Sequence, residues 1–308
     1  MKHPLPVALV REVATVCGRT LPEPFVHMKQ KTFQVPAGSR IAFQGEQGSF
    51  SQKAAHKIFG TRIEPVSCLS FEDVFNAVAH KKVECAVIPI ENTLAGSIHQ
   101  NFDLLAHHSL EIVGETFLRV EHNLIAHPGV GMRRIERIYS HPAALEQCKR
   151  LLRRLRKVEK ISYYDTAGSV KLIRDQGMRN AAAIASEDAA RIFGMKILRR
   201  RIEDDPENYT RFLALAQRKK FPAGGEKTSI VFGLKNEPGI LFKALSVFAL
   251  RNIQLTKIES RPIRGKPWEY LFYLDLQSDV RNRECVHALR HLRELAPYLK
   301  VLGSYPSL

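Results

Sequence analysis

Short clusters of hydrogen-bonding residues contain the side chains of this sequence that could carry chemistry. They are Gln44-Gly45 with Ser49, Glu91-Asn92-Thr93 with Gly96-Ser97, Ser140 with Gln147, Thr166-Ala167, and Thr210-Arg211-Phe212. Amides and hydroxyls donate hydrogen bonds without adding charge, and glycines let backbone N–H groups face an anion. Such clusters suit recognition of a small polyanion, although helix caps and turns use the same residue types.

Other common reaction chemistries lack support in the sequence. It has no GxSxG elbow, Walker loop or GxGxxG run, which argues against acyl transfer, nucleotide hydrolysis and hydride transfer. His287 and His291 are four residues apart, but no HExxH pattern or third ligand accompanies them, so they indicate a solvated helix face. The 5 cysteines are far apart and form no CxxC pair. We therefore expect a site without metal or cofactor, and thiols in a reducing compartment.

The composition is that of a globular protein with about two domains. The chain has 308 residues, of which 44% are hydrophobic and 25% charged, and it has no apolar run long enough to cross a membrane. Lys and Arg number 47 against 31 Asp and Glu, a net charge of +16. In the densest basic run, residues 149–157, leucines recur at helical spacing without aromatic residues, which indicates a solvated helix face. Nucleic-acid binding is an alternative that rests on net charge alone.

The polar clusters follow candidate strands, where ligands bind in an open α/β sheet. From Arg40 onward, short β-rich runs alternate with helical stretches, which predicts an α/β fold with mainly parallel sheets. The apolar residues 85–90 are typical of a strand covered on both faces. Ser70 is placed to cap a helix that has Phe71 and Val78 on one face.

A polar, basic segment with Gly and Pro, residues 217–226, marks a change in organisation. Beyond it the order β-α-β-β-α-β over about 80 residues predicts a ferredoxin-like unit. We expect an N-terminal extension over residues 1–39, an α/β domain over 40–217, a linker over 218–227 and the ferredoxin-like domain over 228–306.

The clusters, in this order, resemble the prephenate dehydratase family, which has the arogenate dehydratases as close relatives. The matching pieces are residues 42–45 with 48–51, 87–92, 96–97, 140–142 with 147–148, 165–167 and 208–212. Residues 228–306 resemble an ACT regulatory domain. The resemblance implies a two-lobed catalytic domain similar to periplasmic binding proteins, with its site in the cleft between the lobes.

The resemblance implies a lyase reaction. Prephenate loses its ring carboxylate as CO2 and its C4 hydroxyl as water, which gives phenylpyruvate in L-phenylalanine biosynthesis. The family's catalytic threonine matches Thr210, expected to donate to the C4 oxygen, and Asn92, Gln147 and Glu91 match positions tied to binding or catalysis. The expected substrate-binding residues are Gln44, Gly45, Ser49, Thr93, Gly96, Ser97, Ser140, Thr166, Ala167, Arg211 and Phe212.

Arg211 and Phe212 are expected to contact different carboxylates of the substrate. The guanidinium fork of Arg211 suits the side-chain carboxylate. Clamping the carboxylate that leaves would oppose loss of CO2, so apolar cover such as Phe212 is expected near that group.

The ACT resemblance implies feedback control by L-phenylalanine at an interface between subunits of a homodimer or homotetramer. The expected effector residues are Asn236, Pro238, Gly239, Ile240 and Leu241 at a helix start, with Glu259, Ser260, Arg261 and Pro262, which look like the family's phenylalanine-binding motif. The family often has a sequence of smaller residues, including Ala, where this chain has Gly239 to Phe242. This difference leaves the identity and affinity of the effector open.

Several alternatives stay open at this stage. Arogenate could replace prephenate as the substrate, and a non-catalytic anion or amino-acid sensor is a more distant alternative. The proline-broken N-terminal segment is too short for a helical chorismate mutase domain, so a monofunctional dehydratase is expected. The expected location is the cytoplasm, with plastid import as the alternative, and no membrane or nucleic-acid partner is expected.

Overall fold

The computed structural model describes residues 34–217, 224–263 and 265–306. Most of the predicted N-terminal extension and most of the predicted linker lie outside these residues. The strands are β1 (Arg40–Gln44), β2 (Glu64–Cys68), β3 (Cys85–Asn92), β4 (Gly96–Ser97), β5 (Leu110–Arg119), β6 (Asn123–Ala126), β7 (Arg137–Ser140), β8 (Glu159–Ser162), β9 (Ala181–Ala185), β10 (Lys196–Arg199), β11 (Tyr209–Gln217), β12 (Lys227–Leu234), β13 (Leu255–Pro262), β14 (Tyr270–Leu276) and β15 (Tyr298–Tyr305).

The helices of the described residues lie between these strands. They are α1 (Phe50–Phe59), α2 (Phe71–Ala79), α3 (His99–His107), α4 (Pro142–Gln147), α5 (Lys149–Arg154), α6 (Thr166–Asp175), α7 (Glu187–Ile192), α8 (Ile240–Ala249) and α9 (Arg283–Leu295), with a 3-10 helix over Met132–Arg134. As expected, Ser70 caps α2, where its side chain accepts from the Asp73 N–H in a capping box. In the basic run, α5 buries Leu151 and Leu152 and leaves Arg153 and Arg154 exposed.

Two sheets form two lobes. The first sheet has the strand order β2-β1-β3-β11-β5, with β4 paired to β3, and the second has the order β10-β6-β9-β7-β8. The α/β class with two lobes is confirmed, but the sheets are mixed instead of mainly parallel. Strand β11 enters the first sheet antiparallel to both β3 and β5, because the chain returns to it after building the second lobe.

The third sheet belongs to the ferredoxin-like unit, which is confirmed. Its four strands are antiparallel in the order β13-β14-β12-β15. Helices α8 and α9 cover one face with a core that includes Phe232, Phe248 and Leu292. The other face packs on the first lobe, where Tyr273 and Tyr305 join the core of that lobe.

The third sheet and the first lobe approach closely at one glycine. A Cβ on Gly303 in β15 would overlap the backbone carbonyl of Ile112 in β5. Any side chain at this position would therefore push the two units apart.

Candidate active site

A cavity of about 440 Å³ lies between the two lobes, and we call it the cleft cavity. It is lined by Gln44, Ser49, Phe50, Ser51, Phe71, Pro89, Asn92, Ala95, Ile98, Val120, His122, His141, Ala143, Ala144, Gln147, Tyr164, Asp165, Thr166, Thr210 and Phe212. The first lobe contributes the ends of β1 and β3 and the start of α1. The second lobe contributes the loops that follow β7 and β8. The cavity therefore lies where strand ends meet helix starts.

A β-bulge aims two residues of β3 at the same cavity. Arg211 pairs with Glu91 and Phe212 pairs with Pro89, so Ile90 is the extra residue on β3. Without the bulge, Pro89 and Asn92 would point to opposite faces, because side chains alternate along a strand. The bulge brings both onto the cavity wall, opposite Thr210 and Phe212 of β11.

The orientation of the Asn92 amide follows from its backbone partners. Its Oδ1 accepts hydrogen bonds from the N–H groups of Leu94 at 3.0 Å and Ala95 at 2.8 Å. Because backbone N–H groups only donate, the Asn92 NH2 group must face the other way. It donates to Thr210 Oγ1 at 2.9 Å and to Asn208 Oδ1 at 2.8 Å.

The Thr210 hydroxyl is therefore prepared to donate. Its oxygen accepts from Asn92, and among the described residues no acceptor is found for its hydrogen. Thr210 lines the cleft cavity and is only 7% exposed. A hydroxyl whose oxygen already accepts a hydrogen bond is a better donor, since the bond stabilises negative charge that develops on the oxygen.

Gln147 links Asn92 to the second lobe. Its Nε2 lies 3.3 Å from Asn92 Oδ1, and its Oε1 accepts from Asn208 Nδ2 at 3.0 Å. The same Oε1 lies 2.9 Å from His122 Nε2. An amide oxygen only accepts, so the proton of the His122 ring is on Nε2.

His122 is a neutral imidazole at the back of the site. Burial lowers the pKa of His122, although the hydrogen bond to Gln147 and the charge of Glu203 oppose that shift. Its backbone N–H donates to Glu203 at 2.9 Å. The other ring nitrogen, Nδ1, is buried and has no hydrogen-bond partner among the described residues. His122 thus fixes the Gln147 amide without bringing a positive charge to the cavity.

The cleft cavity offers helix ends to an anion instead of cationic side chains. Among the described residues that line it, none is Lys or Arg. The first turn of α1 lies on its wall, with Ser49 as the N-cap. The positive end of a helix dipole and the N–H groups there favour a carboxylate.

The two lobes are joined beside the cavity by residues 45–46 and 164–171. Glu46 N–H donates to Asp165 Oδ2 at 3.0 Å, Tyr164 donates to Glu46 Oε1 at 2.9 Å, and Lys171 bonds Glu46 Oε2 at 3.1 Å. Burial raises the pKa of Asp165, and the N–H donors of Glu46, Gly168 and Thr166 oppose that shift. A Cβ on Gly45, whose φ is +106°, would come 3.2 Å from Asp165 Oδ1. Gly45 is therefore part of this contact between the lobes and does not line the cavity.

The structure contradicts the expected placement of Arg211 and Glu91. Both point away from the cleft cavity, towards the third sheet. Arg211 is paired with Glu115 at 2.6 Å and with Asp275 at 2.5 Å, so it is not positioned to anchor a substrate carboxylate. Glu91 lies 3.1 Å from Lys257 of β13 and is not positioned for catalysis.

Other expected substrate-binding residues also lie outside the cavity lining. Thr93 Oγ1 donates to the Glu207 carbonyl at 2.7 Å, Ser140 Oγ donates to the Ile184 carbonyl at 2.7 Å, and Ser97 Oγ donates to Glu259 at 2.5 Å. Gly96 is exposed and Ala167 is fully buried. Gln44, Ser49, Thr166, Phe212, Asn92, Gln147 and Thr210 do line it.

Sequence reasoning missed His122 because it lies between the end of β5, a strand that was not expected, and the start of β6. Strand β6 runs antiparallel to β9, and Asn123 pairs with Ala185 at the end of β9. The beginning of β6 therefore lies beside a strand end. An antiparallel partner is not visible in the sequence.

The expected effector residues lie in two segments of the ferredoxin-like unit, the loop and helix start after β12 and the end of β13. Leu234 and Pro262 both pair with Tyr270, so the loop of Asn236, Pro238 and Gly239 lies at the same end of the sheet as the end of β13. Gly239 has φ of +74° and precedes α8, where Ile240 and Leu241 begin the helix.

Residues of the β13 motif alternate between two environments. Glu259 bonds Ser97, and Arg261 bonds Asp103 Oδ2 at 3.0 Å, so both contact the first lobe. Ser260 and Pro262 are exposed. Asn236 lines a second cavity, of about 810 Å³, together with Lys235, Trp268 and Tyr298.

No group of three or more His, Cys, Asp or Glu side chains in the described part of the chain is arranged to hold a metal ion. None of its helices is both long and apolar enough to span a bilayer.

Known proteins resemble the chain over most of its length. The family described as prephenate dehydratase matches residues 41–220, and the ACT domain matches residues 228–284. A relative from Arabidopsis thaliana, "arogenate dehydratase/prephenate dehydratase 2, chloroplastic", is 47% identical over 299 residues, which cover 93% of this chain and 78% of the relative.

Two solved structures have the same fold as the chain. The prephenate dehydratase of Arthrobacter aurescens in complex with L-Phe has a TM-score of 0.80 and 28% identity, and covers 87% of this chain and 90% of its own. A structure described as GqqA, a quorum quenching acylase of a novel type, has a TM-score of 0.78 and 33% identity, and covers 87% of this chain and 98% of its own.

Proposed function

The chain belongs to the prephenate dehydratase family, and we propose that it catalyses the decarboxylative dehydration of prephenate to phenylpyruvate, with arogenate as the alternative substrate. We assign catalysis to residues 40–217 and regulation to residues 228–306. The observation that carries the proposal is the hydrogen bond from the Asn92 amide to Thr210, which leaves the Thr210 hydroxyl as a donor in a cavity between two lobes.

In the proposed reaction, Thr210 donates its proton to the C4 oxygen of prephenate. The bond from the ring to its carboxylate breaks, the electron pair enters the ring, and the C4–O bond breaks as the oxygen leaves as water. The products are phenylpyruvate, CO2 and water, and Thr210 regains a proton from solvent. Asn92 stabilises the negative charge that develops on Thr210 Oγ1 at 2.9 Å.

The lining of the cavity supports a reaction that loses CO2. A cationic side chain on the leaving carboxylate would stabilise the ground state more than the transition state, in which that charge moves into the ring. The described lining contains no Lys or Arg, and Phe212 provides apolar surface. We propose that the start of α1 binds a substrate carboxylate through Ser49 and the backbone N–H groups.

Turnover assays test this proposal directly. Purified protein is given prephenate and, separately, arogenate, and phenylpyruvate and phenylalanine are followed. Phenylpyruvate from prephenate supports the main proposal, and faster release of phenylalanine from arogenate would keep the chemistry and change the substrate. No turnover of either substrate by folded protein would refute the proposed function and favour an anion sensor.

We propose no acylase activity for this chain, despite the description of one solved neighbour. Among the described residues of the cleft cavity, neither His122 nor His141 is hydrogen-bonded to a serine or threonine hydroxyl. Such a base is a common way to activate a hydroxyl nucleophile.

We also propose that L-phenylalanine regulates the enzyme through the ACT domain in a homodimer or homotetramer. The support is the ACT match and the L-Phe complex named for the Arthrobacter structure. Phe242 of α8 is 76% exposed and Leu250, which directly follows α8, is 78% exposed, which suits contact with a second copy. Calorimetry with phenylalanine and light scattering test binding and assembly, and no binding by a folded chain would refute this regulation.

The compartment is a further proposal. The name of the Arabidopsis relative places that protein in the chloroplast. We propose a plastid location for this chain in preference to the expected cytoplasm. A C-terminal fluorescent fusion in plant cells tests it, and fluorescence confined to the cytosol would refute it.

A further inference from the structure

A buried ionic cluster joins the strand of Thr210 to the third sheet. We call Arg211, Glu115, Lys227 and Asp275 the junction cluster. Arg211 Nε lies 2.7 Å from Glu115 Oε2, Arg211 Nη1 lies 2.5 Å from Asp275 Oδ2, and Lys227 Nζ lies 2.5 Å from Glu115 Oε1. None of these side chains is more than 9% exposed. Two cations and two anions are thus buried together, with their charges balanced.

Hydroxyl groups complete the junction cluster. Ser229 donates to Asp275 Oδ1 at 2.5 Å, and Arg211 Nη2 donates to Tyr305 Oη at 3.1 Å. Arg211 and Glu115 come from the first lobe, whereas Lys227, Ser229, Asp275 and Tyr305 come from strands of the third sheet. Buried ion pairs are weak evidence for added stability, but removal of one partner leaves an uncompensated charge, so the geometry is held tightly.

The junction cluster lies directly behind the proposed proton donor. Thr210 and Arg211 are consecutive in β11, so their side chains point to opposite faces of the first sheet. Thr210 faces the cleft cavity, and Arg211 faces the third sheet. Because consecutive residues share a planar peptide, a shift of the Arg211 backbone also shifts the backbone of Thr210.

The partner strand repeats this arrangement. Asn92 faces the cleft cavity, and the preceding residue, Glu91, lies 3.1 Å from Lys257 Nζ of β13. Glu91 and Arg211 are also direct partners in the pairing of β3 with β11. Both residues of the Asn92–Thr210 hydrogen bond therefore have a neighbour held by the third sheet.

We propose that Arg211 is a positioning residue through which the regulatory domain sets the position of the Thr210 hydroxyl. This inference rests on the proposed function, since it assigns Thr210 as the donor. Arg211 does not touch the cleft cavity, so it acts on the transition state only through its neighbours in β11, Thr210 above all and Phe212. A shift of the third sheet that moves Asp275 changes the alignment of Thr210 with the substrate, and this provides a route by which an effector on that sheet changes turnover.

The primary test is Asp275→Asn, which removes one charge and preserves the shape of the side chain. We expect kcat to fall about tenfold or more, with KM changed much less, because substrate contacts stay in place. The response to phenylalanine should shrink in the same variant. Arg211→Lys, which keeps the charge and loses the fork, should retain more kcat than Arg211→Gln.

A double variant and a control test whether Asp275 acts through Arg211. If it does, Asp275→Asn combined with Arg211→Gln has the kcat of Arg211→Gln alone. Asp103→Asn is the matched control, since it breaks another ion pair between the same two units, to Arg261, without touching β3 or β11. The control should keep the kcat of the unmodified protein. Additive losses in the double variant, or an equal loss in the control, would overturn the proposal.

Hydrogen exchange separates this proposal from the proposed function. We expect Asp275→Asn to raise exchange in peptides that contain β11 and to leave β9 in the second lobe unchanged. Folding is verified by thermal denaturation. If the unmodified protein turns over neither substrate but Asp275→Asn raises exchange in β11, the proposed function fails and the mechanical link is supported. If kcat and exchange in β11 are both unchanged, the link itself is refuted.

Discussion

Replacement of Asn92 by Asp reverses one hydrogen bond and leaves the shape of the side chain almost unchanged. In Asn92→Asp, one carboxylate oxygen still accepts from the N–H groups of Leu94 and Ala95. The other oxygen takes the place of the NH2 group, 2.9 Å from Thr210 Oγ1. The Thr210 hydroxyl then donates to this carboxylate and no longer to the substrate.

The size of the expected loss follows from that reversal. Removal of a donor that stabilises developing negative charge costs about 100- to 1000-fold in kcat, or about 3–4 kcal/mol. Capture of the Thr210 proton adds to this loss. We therefore expect the loss in kcat to lie in the upper part of that range or above it. The carboxylate also faces Asn208 Oδ1, which loses this donor, and the Tyr209 carbonyl, which keeps the Thr93 N–H as a donor. This should lower the free energy of unfolding by about 1–3 kcal/mol.

The assay is steady-state turnover of prephenate, with thermal denaturation on the same samples. Protonation of the new carboxyl restores a hydrogen that can be donated to Thr210, so part of the activity should return as the pH falls. Asn180→Asp is the control, because Asn180 is an amide of the second lobe bonded to Glu136 and Arg137, away from the cleft cavity. A folded Asn92→Asp variant with unchanged kcat would refute the assignment of Asn92 as the donor to Thr210.

Three further predictions concern the same structure. Thr210→Ala should fold and lose most turnover, whereas Thr210→Ser should keep part of it, and near-normal kcat in the alanine variant contradicts the acid assignment. Burial lowers the pKa of His122 from its ordinary value of 6.5, so the folded state binds this proton less readily than the unfolded state does. His122 therefore costs stability below about pH 6.5, and Tm should fall less steeply with acid in His122→Gln than in the unmodified protein, as measured by calorimetry across pH. Gly303→Ala should lower Tm, because its Cβ overlaps the Ile112 carbonyl, and an unchanged Tm would show that the two units can separate at little cost.

The helix starts of the site depend on short-range contacts. The Ser49 side chain accepts from the Gln52 N–H and Asp165 from the Gly168 N–H, each within three residues. Such bonds form wherever the local chain has the right residues in the right order, so the sequence predicts them. The order of the polar clusters likewise indicated the family.

Long strands that pair with distant segments were harder to predict. Strand β5, which borders β11, was not expected, although it spans Leu110–Arg119. Its partner lies about a hundred residues further along the chain, and the local pattern carries no record of that pairing. The antiparallel insertion of β11 was missed for the same reason.

The face on which a residue lies was decided by the tertiary structure. Sequence reasoning assigned Glu91 and Asn92, and Thr210 and Arg211, to one site. The sequence of a motif does not show on which face of its strand each residue lies. The bulge at Ile90 and the alternation of strand side chains send one residue of each pair to the cleft cavity and the other to the third sheet. Sequence by itself determined the fold class, the helix starts and the inventory of donors. Only the folded chain could bring Arg211 to Glu115 and Asp275, which are 96 and 64 residues away, because a charge is buried only where distant strands supply its partners.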